Sequence, residues 1–228
     1  MSELIDTYWL YFLVGQYPQG PLGGLALTVL LAALAIVLAF PLGLLLGVAR
    51  ISTWRALRVP VTAAIWIVRG TPLLMVVFWA YFFLPAITGH RGSQFSTMLT
   101  ALVVFDAAYL AEIVRAGLQG LPDGQLQAAR ALGLSWAQAL RWVLLPQALR
   151  HMLPSLVNQF VSTIKQTSLG TIIGLAELSF VANQINIQVL VKPVQVYGTL
   201  AASYFVLCFG LSQLAQWLER RGRPLQLR

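Results

Sequence analysis

LPDGQLQAARALGLSWAQALRWVLLPQALR, residues 121–150, is the longest polar connection in an otherwise apolar chain, and it is punctuated like folded structure. Asp123 can cap a short helix over residues 124–132, Gly133 stands where a left-handed residue would stop it, and Ser135 can cap the next helix. That second helix is expected to run to Leu145, where Pro146 ends or bends it. Two short helices hinged at a glycine cannot bury Leu132, Leu134, Trp136, Leu140, Trp142 and Val143 on each other. Those side chains either pack on the ends of the chain's own spans or dock another protein.

Outward from this loop the composition is that of a membrane protein. Of 228 residues, 58% are hydrophobic and only 10% charged, where a soluble domain carries about a quarter charged residues. This excludes an ordinary soluble enzyme or binding module and predicts an all-α membrane protein. At about 20 residues per crossing, the expected spans are residues 22–48, 59–84, 95–118, 153–175 and 194–218, five transmembrane helices in all. In the first, Gly43 and Gly47 have the spacing that lets another helix approach closely, and Pro41 is a candidate kink. Residues 8–14 are aromatic-rich and too short to cross, so they read as a helix lying in the interface. Residues 1–6 hold Glu3 and Asp6 without a basic flank, so no secretory signal is expected.

The formal net charge of +8 would suggest nucleic acid in a soluble chain, but here the basic residues sort by loop. Arg50, Arg55 and Arg58 lie between spans one and two. Arg130, Arg141 and Arg150 lie between three and four, with Arg115 near the end of span three, and Arg220, Arg221, Arg223 and Arg228 follow span five. The opposite loops hold only Arg91 and Lys192. Basic loops face the cytoplasm, so the N-terminus is expected outside and the C-terminus inside, with residues 121–150 on the cytoplasmic side. The chain then divides into an outer N-terminal segment, residues 1–20, a membrane domain, residues 21–218, and a basic cytoplasmic tail, residues 219–228.

Ionisable residues inside a bilayer are costly and are therefore candidates for function. Here they are Arg69, Asp106, Glu112, Lys165 and Glu177, with Arg115 at a span end. Glu112 and Arg115 are three residues apart on one face, so they either pair with each other or meet a charged substrate. Asp106 is expected on roughly the same side, with Tyr109 adding a hydroxyl. Arg69 precedes Gly70, Thr71 and Pro72, where a proline frees backbone groups to line a cavity. Its guanidinium suits either a substrate carboxylate or a brace between helices. Lys165, Gln166, Thr167 and Ser168 form a polar cluster that reads as pathway lining. Glu177, followed by Asn183, Gln184, Asn186 and Gln188, suits an outer gate, a receptor-docking surface or a solvated loop. Cys208 is single, and His90 and His151 have no ligand-spaced partner, so no disulfide or metal site is expected. The sequence contains no GxxxxGK[ST], HExxH or GxSxG motif, so the chain is not expected to be an enzyme.

Within the loop, Gln127, Ala128 and Ala129 are followed after three residues by Gly133, and after nine more by Val143, Leu144, Leu145 and Pro146. This spacing resembles the EAA loop of ABC importer permeases. Residues 69–74 (RGTPLL), 108–115 (AYLAEIVR), 145–148 (LPQA) and 165–169 (KQTSL) are similar to the polar amino acid uptake branch of that family, and the resemblance extends over roughly residues 22–217. Two positions depart from the pattern. Gln127 stands where the family has Glu, which leaves at most a neutral hydrogen bond in place of an ion pair. Gln166 stands where many members have Asp, which removes a charge beside Lys165.

The resemblance implies the type I permease fold with a cytoplasmic coupling loop, in which Gln127, Ala128, Ala129, Leu132, Gly133, Ser135, Leu145 and Pro146 engage a separate ATPase. It also implies a substrate pathway, for which Arg69, Thr71, Asp106, Tyr109, Glu112, Arg115, Lys165, Gln166, Thr167, Ser168 and Glu177 are the candidates. The implied partners are a cytoplasmic ATPase dimer that binds ATP and Mg, a second permease subunit, with a heterodimer favoured, a periplasmic substrate-binding protein and the lipid bilayer. No nucleic acid partner and no cofactor within this chain are implied, and the implied location is the inner membrane. The implied cargo is a polar amino acid. Residues 82–85 (FFLP) and 183–186 (NQIN) look most like glutamate/aspartate or broad-spectrum members, with histidine/lysine/arginine or glutamine carriers as alternatives. The rival from outside the family is an ion-coupled secondary transporter, which would show an inverted repeat or more spans, and neither is apparent.

Overall fold

The computed structural model describes residues 2–90, 92–189 and 192–222, and apart from two isolated bridges the regular structure among them is helical. Helices α2 (Gly24–Arg50) and α6 (Gln94–Gln119) form the centre. They run parallel: Leu31 and Ala35 cluster with Met98, Ala101, Leu102 and Phe105, and further along Ala39 clusters with Ala107, Leu110 and Val114. Gly43 and Gly47 lie on the same contact. A methyl at Gly43 would sit 2.5 Å from the Leu110 Cβ, and one at Gly47 2.7 Å from the Val114 Cβ, so glycine is what lets these backbones meet.

The expected single span over residues 59–84 is two segments. The first is α3 (Arg55–Gly70); the second, Leu73–Thr88, joins α4 (Leu73–Phe78), a π-helical turn (Trp79–Phe83) and α5 (Leu84–Thr88), and the two meet at 101°. The cause is local. Pro72 donates no N–H and pushes the residue before it out of the helical region, so Thr71 is extended at φ −105°, ψ 133° and Pro72 follows at φ −59°, ψ 137°.

Of the two outcomes expected at Pro146, an end or a bend, the end does not occur. After α7 (Asp123–Ala131), α8 (Trp136–Ala139) passes through a π-helical turn (Leu140–Leu144) into α9 (Leu145–Gln166), with helical angles at each junction. The wide turn lies directly before the proline and absorbs the crowding and the missing donor that its ring imposes. α9 runs antiparallel to α6, with Gly117 against Met152 near one end and Asp106 against Gln159 and Thr163 further along. It tightens into a 3-10 segment (Thr167–Ile173), then α10 (Leu178–Val189) and α11 (Pro193–Gly222) complete the chain.

Among the described residues, Gly24–Arg50, Gln94–Gln119 and Pro193–Trp217 are each long and apolar enough to cross a membrane, and the bent pair counts as a further crossing if taken together. α9 is not among them, because Arg150, His151, Asn158, Gln159 and Lys165 interrupt its apolar run. α1 (Ser2–Val14) is longer than the expected residues 8–14 and packs inward: Phe12 is buried with Leu178, Val181 and Ile185, and the Tyr11 hydroxyl donates to Gln184 Oε1 at 2.6 Å. Arg91, Arg223 and Arg228, counted above for orientation, lie outside the described residues, as do the side chains of Arg220 and Arg221.

Candidate functional site

Three helix ends converge on one carboxylate. Arg50 closes α2, Arg69 stands one residue before the end of α3, and Glu112 and Arg115 lie in the last turns of α6. Glu112 is ion-paired with Arg50, accepts from Arg115 Nε at 3.1 Å and lies 3.6 Å from Arg69 Nη1. Arg115 also donates to Gln119, and the Arg69 guanidinium lies over the Tyr109 ring, 5.1 Å from its centroid. The partly buried cluster thus holds three guanidiniums and one carboxylate, a surplus of two positive charges. Glu112 and Arg115 do pair, and Arg69 is braced between helices. Yet Arg69 is also the most loosely held of the three, and its Nε is buried without a hydrogen-bond partner. The neighbouring Thr71 hydroxyl is engaged with Ile67 O at 2.8 Å.

Arg50 was counted only as a loop charge. Its partner is 62 residues away in the chain, a separation that no local pattern signals.

Asp106 is not on the Glu112 side. Six residues advance a helix by about 600°, which leaves the two side chains about 120° apart. Asp106 is buried against α9, where Gln159 Nε2 and Thr163 Oγ1 each donate to it at 2.8 Å. Gln159 and Thr163, unremarked in the sequence, are the other half of this tie. Tyr109 belongs instead with Arg69.

The cluster from Lys165 to Ser168 straddles the change from α9 to the 3-10 segment. The Thr167 and Ser168 hydroxyls donate to Ile164 O and Lys165 O, each at 2.7 Å, so they are satisfied by their own backbone. Gln166 Nε2 donates to Ser162 at 3.3 Å, and its Oε1 is buried without a partner. Lys165 is exposed and forms no ion pair among the described residues.

Glu177 is a structural joint. Its buried carboxylate accepts the N–H groups of Ser179 and Phe180, each at 2.9 Å, which cap the first turn of α10, and the Tyr204 hydroxyl at 3.0 Å. Thr28 of α2 accepts the neighbouring Leu178 N–H at 3.1 Å.

The segment from α7 to α8 is a helical hairpin. Gly133 has φ +84°, and the Gly133 and Leu134 N–H groups donate back to Arg130 O at 3.0 Å and Ala129 O at 3.2 Å, the paired bonds of a Schellman stop. Ser135 and Gln138 form a reciprocal capping box. The first helix opens at Asp123 with Pro122 in the cap position, so Asp123 is not the cap, and its side chain is outside the described residues. Ala129 and Ala139 are buried, whereas Gln127, Ala128, Ser135 and Pro146 are exposed and Leu145 is half-buried. Leu132 at the tip is 83% exposed and Trp142 66%, a large apolar surface that the described residues leave uncovered.

Residues 39–224, which include the charge cluster and the hairpin, match the family described as binding-protein-dependent transport system inner membrane component. The chain is 36% identical over 214 residues to the probable glutamine ABC transporter permease protein GlnP of Bacillus subtilis (strain 168), covering 91% of this chain and 98% of that one. It is also 36% identical over 222 residues to the probable glutamine ABC transporter permease protein GlnM of the same strain, covering 97% of each. The crystal structure of an amino acid ABC transporter with histidines contains a chain that superposes with a TM-score of 0.80 at 35% identity, over 87% of this chain and 92% of that one. With a family match over most of its length and relatives aligned nearly end to end, the chain belongs to the inner membrane components of binding-protein-dependent transport systems.

Proposed function

We propose that the chain is the membrane-spanning permease subunit of an ATP-driven importer that passes a polar amino acid from a periplasmic binding protein to the cytoplasm. The observation that carries this reading is the hairpin: a rigidly capped helix pair whose Leu132 tip and Trp142 flank are uncovered has the form of a docking element. Gln127, Ala128, Leu132, Gly133 and Ser135 are its contact surface for an ATPase dimer that binds ATP and Mg, the buried Ala129 packs beneath them, and Leu145 and Pro146 root it in α9. The chain itself hydrolyses nothing.

The reading includes five crossings. Parallel α2 and α6 support it, since the chain between them must return along the bundle, and antiparallel α9 and the apolar α11 add the fourth and fifth. The basic ends at Arg50 and the hairpin then lie inside, with the N-terminus outside.

For the cargo, Asp106 is tied to α9 and Glu177 caps α10, which leaves the positive surplus of the Arg50, Arg69, Arg115 and Glu112 cluster, with Arg69 its most weakly held member, and Lys165, unpaired among the described residues. A cationic surface suits a substrate that carries carboxylate and no net positive charge, and glutamate or aspartate fits best. Glutamine is the second reading, favoured by what the GlnP and GlnM relatives are named for. Those two relatives occur in one strain, which supports a second, different permease as the partner subunit.

The test is the complex of this chain with its ATPase and second permease in proteoliposomes, with binding protein loaded with glutamate, glutamine or arginine. ATP hydrolysis stimulated by the glutamate- or glutamine-loaded protein is the expected outcome. Stimulation by arginine alone would overturn the cargo assignment, and uptake that follows an ion gradient without ATP would overturn the importer.

A further inference from the structure

The outward face of α3 is the least explained surface of the molecule. Ile65 is the one buried residue of that helix, while Trp54 just before it, and Val59, Trp66 and Ile67 within it, are more than half exposed. The 101° bend at Thr71 and Pro72 carries the following helices away, so this face is not covered by the rest of its own span. A groove of about 270 Å³ runs along it, lined by Arg58, Val59, Thr62, Ala63 and Trp66. Arg55 and Arg58 are exposed at its basic end, and neither is ion-paired: the described bridges all go to Glu112, from Arg50, Arg69 and Arg115.

We propose that this groove is a binding site for one anionic phospholipid, with the phosphate on the Arg58 guanidinium and an acyl chain along Val59, Ala63 and Trp66. The order of chemistry along the helix is that of the ligand. Arg58 offers a planar fork that matches phosphate oxygens. Thr62 lies one turn further along, where an ester oxygen would follow the phosphate. Trp66 is two turns on, about 12 Å from Arg58 at 1.5 Å per residue, and presents apolar surface to the chain. Charge disfavours pairing of this face with the same face of a second copy, which would set Arg55 and Arg58 against their own counterparts. An uncharged lipid would fill the groove but leave both guanidiniums unneutralised.

The experiment needs no turnover, so its outcome is independent of the importer reading. The complex is purified with native lipid, and bound phosphatidylglycerol per copy of this chain is counted by native mass spectrometry and by phosphorus analysis of the extract. The wild type should retain one anionic lipid through delipidation. Arg58→Ala, whose side chain is exposed and outside the coupling and pathway candidates, should lose retention about fivefold, the effect of one surface arginine on anionic lipid. Arg58→Lys should retain an intermediate amount and Trp66→Ala should lose retention with the charge intact. Equal retention by Arg58→Ala, or retention of phosphatidylcholine as strongly as phosphatidylglycerol in nanodiscs, overturns the proposal. A Trp66→Cys variant that crosslinks efficiently to the partner permease overturns it as well, by making the groove a subunit contact.

Discussion

Replacing Gly133 separates two reasons for a glycine at the tip of the hairpin. Its φ of +84° lies in the left-handed region, where a residue with a Cβ costs about 1–2 kcal/mol, and asparagine is the ordinary residue best able to tolerate it. A Cβ there would meet nothing within 4 Å, so the cost of the first added carbon within this chain lies in the backbone. Gly133→Ala and Gly133→Trp should therefore loosen the stop equally, and Gly133→Asn much less. The Gly133 and Leu134 amides are the direct reporters, because they make the two bonds of the stop. A loss of about 1–2 kcal/mol speeds their hydrogen exchange by about 5- to 30-fold in the alanine and tryptophan variants alike. Transport coupling should then split the pair: the alanine variant keeps substrate-stimulated ATP hydrolysis, and the tryptophan variant loses it, because only the partner's surface can object to an indole in open space. Equal coupling in the two would show that nothing presses on Gly133. Exchange as fast in the asparagine variant as in alanine would refute the backbone account.

Gly43→Ala should destabilise the protein by about 1–3 kcal/mol, since its methyl would lie 2.5 Å from the Leu110 Cβ, whereas Gly198→Ala, with nothing within 4 Å, should melt close to the wild type apart from helix propensity. Thermal denaturation in detergent reads the difference, and a neutral Gly43→Ala would mean α2 and α6 are further apart than described. Asp106→Leu should cost about 1–3 kcal/mol by leaving Gln159 and Thr163 without their acceptor, while Asp106→Asn, which can keep each contact, should cost clearly less. Equal melting of those two variants would refute the tie. Glu112→Ala should destabilise more than Arg115→Ala, because it leaves three guanidiniums crowded together where the arginine variant leaves the carboxylate still paired. High salt should narrow that gap, and a reversed order would contradict the cluster.

Features that depend on neighbours a few residues away were legible in the sequence. The glycine spacing of Gly43 and Gly47, the stop at Gly133 and the cap at Ser135 are all local chemistry, and each appears in the structure at its expected residue. The prolines were visible but ambiguous. Pro72 breaks its helix because the residue before it is extended, while Pro146 is carried through by a π-helical turn, and the bare sequence does not say which outcome packing will choose. The candidate site was half legible. The charged residues could be enumerated, but the expectation that Asp106 shares the Glu112 side fails, as a six-residue step of about 600° already implies. The roles of Arg50, Gln159, Thr163 and Tyr204 depend on partners 27 to 62 residues distant, which no short-range pattern encodes.

The contacts also differ in how readily they can change, and this bears on where the molecule can move. From Trp136 to Ile173 the backbone is helical without interruption, so a displacement of the hairpin is not absorbed at Pro146 and passes into α9. α9 is fastened to α6 by the buried Asp106 contacts and by Gly117 against Met152, and α6 to α2 by backbone approach at Gly43 and Gly47. Close-packed contacts of this kind shift as a body or not at all. α3 is attached differently. Ile65 packs on Ala108 and Ala111 of α6, but the end of α3 is held by Arg69 at 3.6 Å from a carboxylate that two other arginines already satisfy, and it leads into the extended pair Thr71 and Pro72. Exchanging one guanidinium among several partners costs far less than prising apart a glycine-packed helix pair. On these contacts the Arg69 end of α3 is held less firmly than the seams within the α2–α6–α9 body.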